Sequence, residues 1–416
     1  MKKGIFIIAL FMCFGFTLIT SYPIDGYKLT GIKRLAYLER VKSGEVKSKL
    51  PVGSLYPMDS IRLNLTDKRG HNLSGVPAVD AELQKQIDNL FRGLNNNYSI
   101  TVLDMSKGKP IRYAQHRETA QYQPGSVGKL VVLAAFFTQL KNIYPHDFEK
   151  RRDLMKHKVV KAGKWALSDH HTIPVYNMET KKLVKRIVQA SDEFSLYEWV
   201  DHMVSVSNNG AASVVWREAF LMSVFKDKYP NLTTEEADEY FKNTPKSELS
   251  EQAMEMVNAP LRTLGITEDE WRLGKFFTSG AGSFIPGRGG STGTPLGLIK
   301  YVMALEKGEL IDKATSLEMK RILYMTDRRI RYAASKELDS AAVYFKSGSL
   351  YKCDKEKNPS CGKYQGNVYN YMNSVAIVEQ PDGSRYAVCL MSNVLNKNSA
   401  YDHLMLATKI DAIMRN

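Results

Sequence analysis

The chain lacks most of the signatures that would settle a function quickly. It has four cysteines and no Cys-x-x-Cys pair, and His170 and His171 are adjacent, which suits neither a helical nor a strand metal face. No metal or other cofactor is therefore expected. Zinc-finger spacing and aromatic RNA-binding motifs are also missing, and the basic residues behind the net charge of +14 are scattered among acids. This charge is read as a solvated basic surface facing anionic envelope polymers, with no nucleic-acid partner. No internal repeat or low-complexity tract appears. A phosphate loop is absent too: in QPGSVGKL, Gln123 stands where the first glycine of G-x-x-x-x-G-K-[ST] belongs and Leu130 where its hydroxyl belongs.

The N-terminus is where the chain becomes informative. MKK followed by GIFIIALFMCFGFTLITS is a charged start and an uncharged apolar run, the pattern of an export signal over residues 1–21 with cleavage near Ser21. The run is also long enough to serve as an uncleaved anchor. The expected location is thus periplasmic or extracellular, with membrane anchoring as the alternative. Residues 22–75 form a basic extension or linker, in which Lys28 to Lys49 holds seven basic and two acidic residues. Within it, GIKRLAYLERVK has the pattern of a basic amphipathic helix, suited to a membrane surface or to packing on its own domain.

Loss of the signal removes Cys13 and leaves Cys353, Cys361 and Cys389. One intrachain bridge is possible in an exported chain. Cys353 and Cys361 bracket the polar stretch DKEKNPS, an exposed loop, whereas Cys389 lies in the apolar strand RYAVCLMSNV. The expected bridge is Cys353–Cys361.

From residue 76 onward the periodicity predicts a helix in AELQKQIDNLFRGLN, then strands SITVLDM and PIRYAQH across the turn SKGK. Helical patterns run through 123–336. Strands return in AAVYFKSGSLY, NSVAIVEQ and SRYAVCLMSNV, and a final helix lies near AYDHLMLATKIDAIM. The implied fold is α/β (α+β): an antiparallel sheet built from residues 76–122 and 337–416, flanked by helices, with an inserted all-helical subdomain over 123–336.

The stretch QPGSVGKL places Ser126 after a Pro-Gly break and Lys129 one helical turn later, just before the apolar run LVVLAAFF. That spacing brings an amine within hydrogen-bond reach of a hydroxyl. An ammonium cannot accept a proton, so the lysine needs the burial that the apolar run supplies. The S-x-x-K pattern recurs at Ser106, Ser223, Ser349 and Ser360, so order and context must select among them. Ser126-x-x-Lys129 opens a helix, Ser207-Asn208-Asn209 follows an amphipathic helix, and Lys346-Ser347-Gly348 lies on a returning strand.

This ordered triplet, S-x-x-K, S-x-N and K-[ST]-G, resembles that of the penicillin-recognising serine enzymes, closest to class A β-lactamases and related to penicillin-binding D,D-peptidases. The resemblance covers residues 76–416 and includes STGTPLGLIKYVMALEKGEL, which is similar to the family's stretch after its omega loop. It implies Ser126 as nucleophile, Lys129 as its general base, and Ser207 as the proton donor to the leaving nitrogen. Asn209 would hold Lys129 and the substrate amide. Lys346 and Ser347 would bind the substrate carboxylate, Gly348 would admit the substrate to the strand edge, and the N–H groups of Ser126 and Ser349 would form an oxyanion hole. The implied substrate is a β-lactam or a peptidoglycan stem peptide, handled by a monomer.

One departure matters. Class A enzymes carry an omega-loop glutamate that activates the deacylating water, but no Asp or Glu occurs between Glu270 and Glu306. Glu268, Asp269 and Glu270 stand close to that gap and early for the role. Three readings follow: a β-lactam hydrolase, a D,D-peptidase, and a non-catalytic binder or sensor that keeps an acyl adduct.

Overall fold

The computed structural model describes residues 23–416 except Pro51, Val52, Ser54 and Arg328. The expected export signal over 1–21 lies outside the described residues, and no described helix is long and apolar enough to cross a membrane.

The helices that matter here are α1 (Lys33–Lys42), α2 (Ala81–Phe91), α3 (Lys129–Ile143), α4 (Leu196–Ser205), α5 (Asn209–Phe225), α6 (Lys246–Thr263), α7 (Pro295–Lys307), α8 (Lys313–Tyr324) and α9 (Ala400–Arg415). The strands are β1 (Tyr98–Asp104), β2 (Arg112–His116), β3 (Ala342–Lys352), β4 (Tyr369–Glu379) and β5 (Arg385–Asn393). They form one five-stranded antiparallel sheet in the order β2-β1-β5-β4-β3. The hairpin before the helical insertion and the three strands after it therefore share one sheet, with Ile100 opposite Leu390 at the seam.

Both faces of that sheet are covered, which is why β1 is buried along its whole length. On one face Ile100, Val102, Val388 and Leu390 pack with Leu83, Ile87 and Phe91 of α2 and Leu406 and Ile410 of α9. On the other, Leu103, Ala387, Cys389 and Met391 join the core built around α3. Alternate residues of each strand thus serve opposite layers. α3 is apolar on all sides because it lies inside that second core, and Lys129 is its first residue.

The inserted part differs from an all-helical subdomain. Short antiparallel ribbons interrupt it, pairing Val159–Lys161 with Glu193–Ser195, Ile173–Tyr176 with Leu183–Arg186, and Trp271–Arg272 with Thr292–Gly293. Each strand is only two to four residues long, too short for a period of two to stand out against the surrounding helices.

The described residues of 23–75 include several that pack into the main core. Ile24, Leu35, Ile61 and Leu65 belong to the main core. Arg34 of α1 is buried and donates to Asp201 of α4 at 2.5 and 2.7 Å. Leu35, Leu38 and Val41 of α1 are buried and Tyr37 packs against Tyr176, so the apolar face of GIKRLAYLERVK is used inside the molecule.

Candidate active site

The Pro124-Gly125 break turns the chain into the core. Gly125 has a left-handed φ of +53°, and a Cβ there would sit 3.0 Å from the Ser349 nitrogen. A 3₁₀ turn over Gly125–Gly128 then leads into α3, so Ser126 lies on the turn just ahead of the helix. Asn373 of β4, fully buried, steadies this turn by donating from Nδ2 to the carbonyls of Gln123 and Pro124 at 2.9 and 3.0 Å. On β3, a Cβ at Gly348 would fall 2.3 Å from the Pro124 oxygen and 2.9 Å from the Ser126 nitrogen. Only glycine lets the strand lie this close to the turn.

Lys129 Nζ is buried at the centre of the cluster. It lies 3.1 Å from Ser126 Oγ, 2.6 Å from the Ser207 carbonyl oxygen, 3.3 Å from Ser207 Oγ and 2.7 Å from Asn209 Oδ1, with the Phe277 ring 5.2 Å away. Ser207 holds a left-handed φ of +60°, a strained conformation for serine, at the bend between α4 and α5. Lys346 Nζ approaches the same hydroxyl from β3 at 2.8 Å, so Ser207 Oγ sits between the two amines. Burial pushes Lys129 down to about 7, against the opposing pull of the Asp169 charge. Burial also lowers Lys346, helped by the positive charges of Lys129 and Arg331. Near neutral pH, Lys129 is thus able to accept a proton from the hydroxyl beside it.

Ser126, Ser207, Asn209, Lys346, Ser347, Gly348 and Ser349 line a single cavity of about 910 Å³. Lys129, fully buried, lies behind this lining and touches Ser126, Ser207 and Asn209 through the contacts above. The structure therefore brings all of the residues singled out around the triplet to one place.

Residues 82–410 match the model of the β-lactamase enzyme family. The chain belongs to the β-lactamase enzyme family. No curated protein sequence matches it. Among solved structures, the TLA-3 extended-spectrum β-lactamase superposes with a TM-score of 0.54 at 12% identity, covering 80% of this chain and 99% of that one. A β-lactamase from Chitinophaga pinensis gives 0.52 at 14% identity, over 80% and 98%. A mutant of PBP-A, captured as an acyl-enzyme complex with penicillin G, gives 0.51 at 12% identity, over 82% and 99%. At these identities the superpositions speak for the fold.

The acids near the gap in the β-lactamase pattern lie outside the cavity lining. Glu270 is held by Lys300 at 2.6 Å and by the Thr267 N–H at 2.9 Å. In the glycine-rich segment that follows, Phe276 and Phe277 line the cavity. Thr278 caps the short helix Ser279–Phe284 and donates to the Trp165 carbonyl at 2.6 Å. The carboxylates among the described lining residues are Asp169 and Asp327, and Asp327 pairs with Lys185 at 3.0 Å.

Two lining residues escaped sequence reasoning. Arg331, buried and with a left-handed φ of +56°, donates to the Gly348 carbonyl at 2.8 Å and to Ser349 Oγ at 2.9 Å, and adds a second cation beside Lys346. No motif marks it, since it opens a short 3₁₀ turn, Arg331–Ala334, ahead of β3. Asp169 lies in the stretch SDHH, where its link to His171 follows the local pattern of an Asx turn, the one sequence signal available.

Cys353 and Cys361 form a disulfide with their Cα atoms 5.7 Å apart, and Cys389 is a buried free thiol. Tyr351, Lys363 and Tyr364, which flank the closed loop, line the cavity mouth. The Tyr364 ring lies 5.2 Å from the Arg331 guanidinium.

Proposed function

We propose that this chain is an exported serine hydrolase that opens β-lactams through an acyl-enzyme on Ser126. The observation that carries the reading is the Lys129 amine, buried, lowered to about 7 and 3.1 Å from Ser126 Oγ. Neutral Lys129 takes the Ser126 proton while Oγ bonds to the lactam carbonyl carbon. The N–H groups of Ser126 and Ser349 receive the developing oxyanion. The C–N bond breaks as Ser207 Oγ protonates the nitrogen, and Ser207 regains a proton through the amines on either side. Lys346 and Arg331 hold the substrate carboxylate. Export rests on the charged start and apolar run of residues 1–21.

Release of the acyl group is the slow step in this reading, because none of Glu268, Asp269 and Glu270 lines the cavity. A missing general base costs on the order of 10² to 10⁴ in rate. The same absence favours a second reading, a D,D-peptidase acting on peptidoglycan stems with the same acylation apparatus. Purified protein mixed with a chromogenic cephalosporin, and separately with a D-Ala-D-Ala peptide, separates the two when product and covalent mass are followed together. The expected result with the cephalosporin is a burst and a Ser126 adduct that clears slowly. Rapid hydrolysis without a burst overturns slow release, and an adduct on another serine, or none on folded protein, overturns the reading itself.

A further inference from the structure

Asn209 can serve Lys129 only if its amide presents oxygen to the amine; turned over, two donors would face each other. Nothing in the covalent structure of an asparagine selects that orientation, so its neighbours must. Asn209 Nδ2 points to Asp169 Oδ1 at 3.3 Å, while Oδ1 meets Lys129 Nζ at 2.7 Å. Asp169 Oδ2 accepts from the Asn209 backbone N–H at 2.6 Å and the Gly210 N–H at 3.3 Å, at the start of α5. Asp169 Oδ1 accepts from the His171 N–H at 3.2 Å and lies 2.7 Å from His171 Nδ1. The Asp169 side chain is 3% exposed, and that of His171 is 50% exposed on the cavity wall. The His171 carbonyl is held in turn by Asn208 Nδ2 at 2.8 Å. A continuous hydrogen-bonded line thus runs from Ser126 through Lys129, Asn209 and Asp169 to His171.

We propose that Asp169 and His171 are positioning residues for this site: Asp169 orients the Asn209 amide toward Lys129, and His171 locks Asp169 in place. The proposal rests on the reading of Lys129 as base and extends it by two residues that no motif contains. Asp169 also contributes charge. Burial alone would push its carboxyl up, but the hydrogen bond and charge of His171, with the backbone N–H groups, hold it down at about 2, so it stays anionic while Lys129 titrates. The other titratable groups around Lys129 are Lys346 on β3, itself lowered by burial and by the charges of Lys129 and Arg331, and Arg331; Asp327 is paired with Lys185.

Asp169→Asn keeps the size of the side chain, removes its charge and leaves one acceptor oxygen in place of two, so it can no longer serve the Asn209 amide, the His171 ring and the N–H groups of α5 together. The titration of Lys129, followed by NMR of the full chain carrying ¹³C-labelled lysine and assigned with Lys129→Ala, should move down by about one pH unit, because an anion that favoured the ammonium has gone. The acid limb of Ser126 acylation by a fluorescent penicillin should move with it, and the plateau rate should fall. His171→Ala should also lower the plateau, and His171→Gln, whose amide can still donate to Asp169, should restore it. A purely structural role for Asp169 would lower the urea midpoint and leave the Lys129 titration in place. An unmoved titration in folded Asp169→Asn overturns the proposal even if Ser126 acylates normally. A shifted titration in a protein that penicillin never acylates supports the dyad and removes the proposed function.

Discussion

A lysine that works as a base near neutral pH needs surroundings that penalise its charge without leaving its nitrogen unpartnered. Lys129 has both, being the first residue of an apolar helix with Ser126, Ser207 and Asn209 around Nζ. Below about pH 7 it is mostly protonated and cannot accept a proton, so the rate of Ser126 acylation should rise with pH through about 7 and level off above it. Stopped-flow acylation across pH checks this; a flat profile would move the base elsewhere. Lys129→Ala should abolish acylation and leave the fold largely intact, whereas Lys346→Ala should mainly raise the substrate concentration needed for acylation. Circular dichroism and saturation kinetics on both variants test that division, and equal loss of binding with an unchanged saturating rate in both contradicts it. Ser126 and Lys129 were legible because one helical turn sets positions three apart side by side, whereas Ser207, Asn209 and Lys346 were legible through the resemblance of the ordered triplet to a known family. Asp169 and Arg331 were not, since each reaches the cavity through tertiary packing.

At the scale of elements, the long amphipathic and apolar patterns predicted α2, α3 within the helical run over 123–336, α9 and all five strands, because each buries a regular face. The close approach of β3 to the Ser126 turn was not visible in the same way: K-S-G also occurs at Lys42, and a glycine's role depends on what stands over it. Gly348→Ala would place a methyl 2.3 Å from the Pro124 oxygen, so strand and turn must separate. The expected cost is about 1 to 3 kcal/mol with loss of Ser126 acylation, read by urea titration and adduct mass. A variant with wild-type midpoint and acylation would show that the turn yields freely. The Cys353–Cys361 bridge closes a loop beside the cavity mouth with a sequence separation of 8. Such a loop contributes about 2 to 3 kcal/mol by the chain-entropy estimate. Thiol counting on denatured, unreduced mature protein should find one reactive group, Cys389; three would refute the bridge.

For the molecule as a whole, the segment over 23–75 is the part that composition described least well. Its charge suggested an extension or linker, yet its apolar residues at Ile24, Leu35, Ile61 and Leu65 enter the main core. Its polar atoms complete buried networks: the Asn64 N–H donates to Glu306 at 2.6 Å and its side chain to Glu379 at 2.8 Å, beside the buried Lys320. Arg34 and Asp201 tie the segment to α4, the helix that leads into the Ser207 bend. Arg34 also donates to the Met325 carbonyl at 2.5 Å, joining α1 to the end of α8. Removing one partner of such a pair strands a buried charge, so Arg34→Ala should lose about 3 to 5 kcal/mol. Replacing both, Arg34→Met with Asp201→Leu, should recover most of that loss, because burying two apolar side chains carries no charge penalty. Urea midpoints of the two variants, with Ser126 acylation as a reporter of the bend, decide the matter. A loss below about 1 kcal/mol for Arg34→Ala would mean that water reaches Asp201 and that the segment is a loosely held cover; recovery of stability without acylation would mean that the ion pair itself sets the position of Ser207.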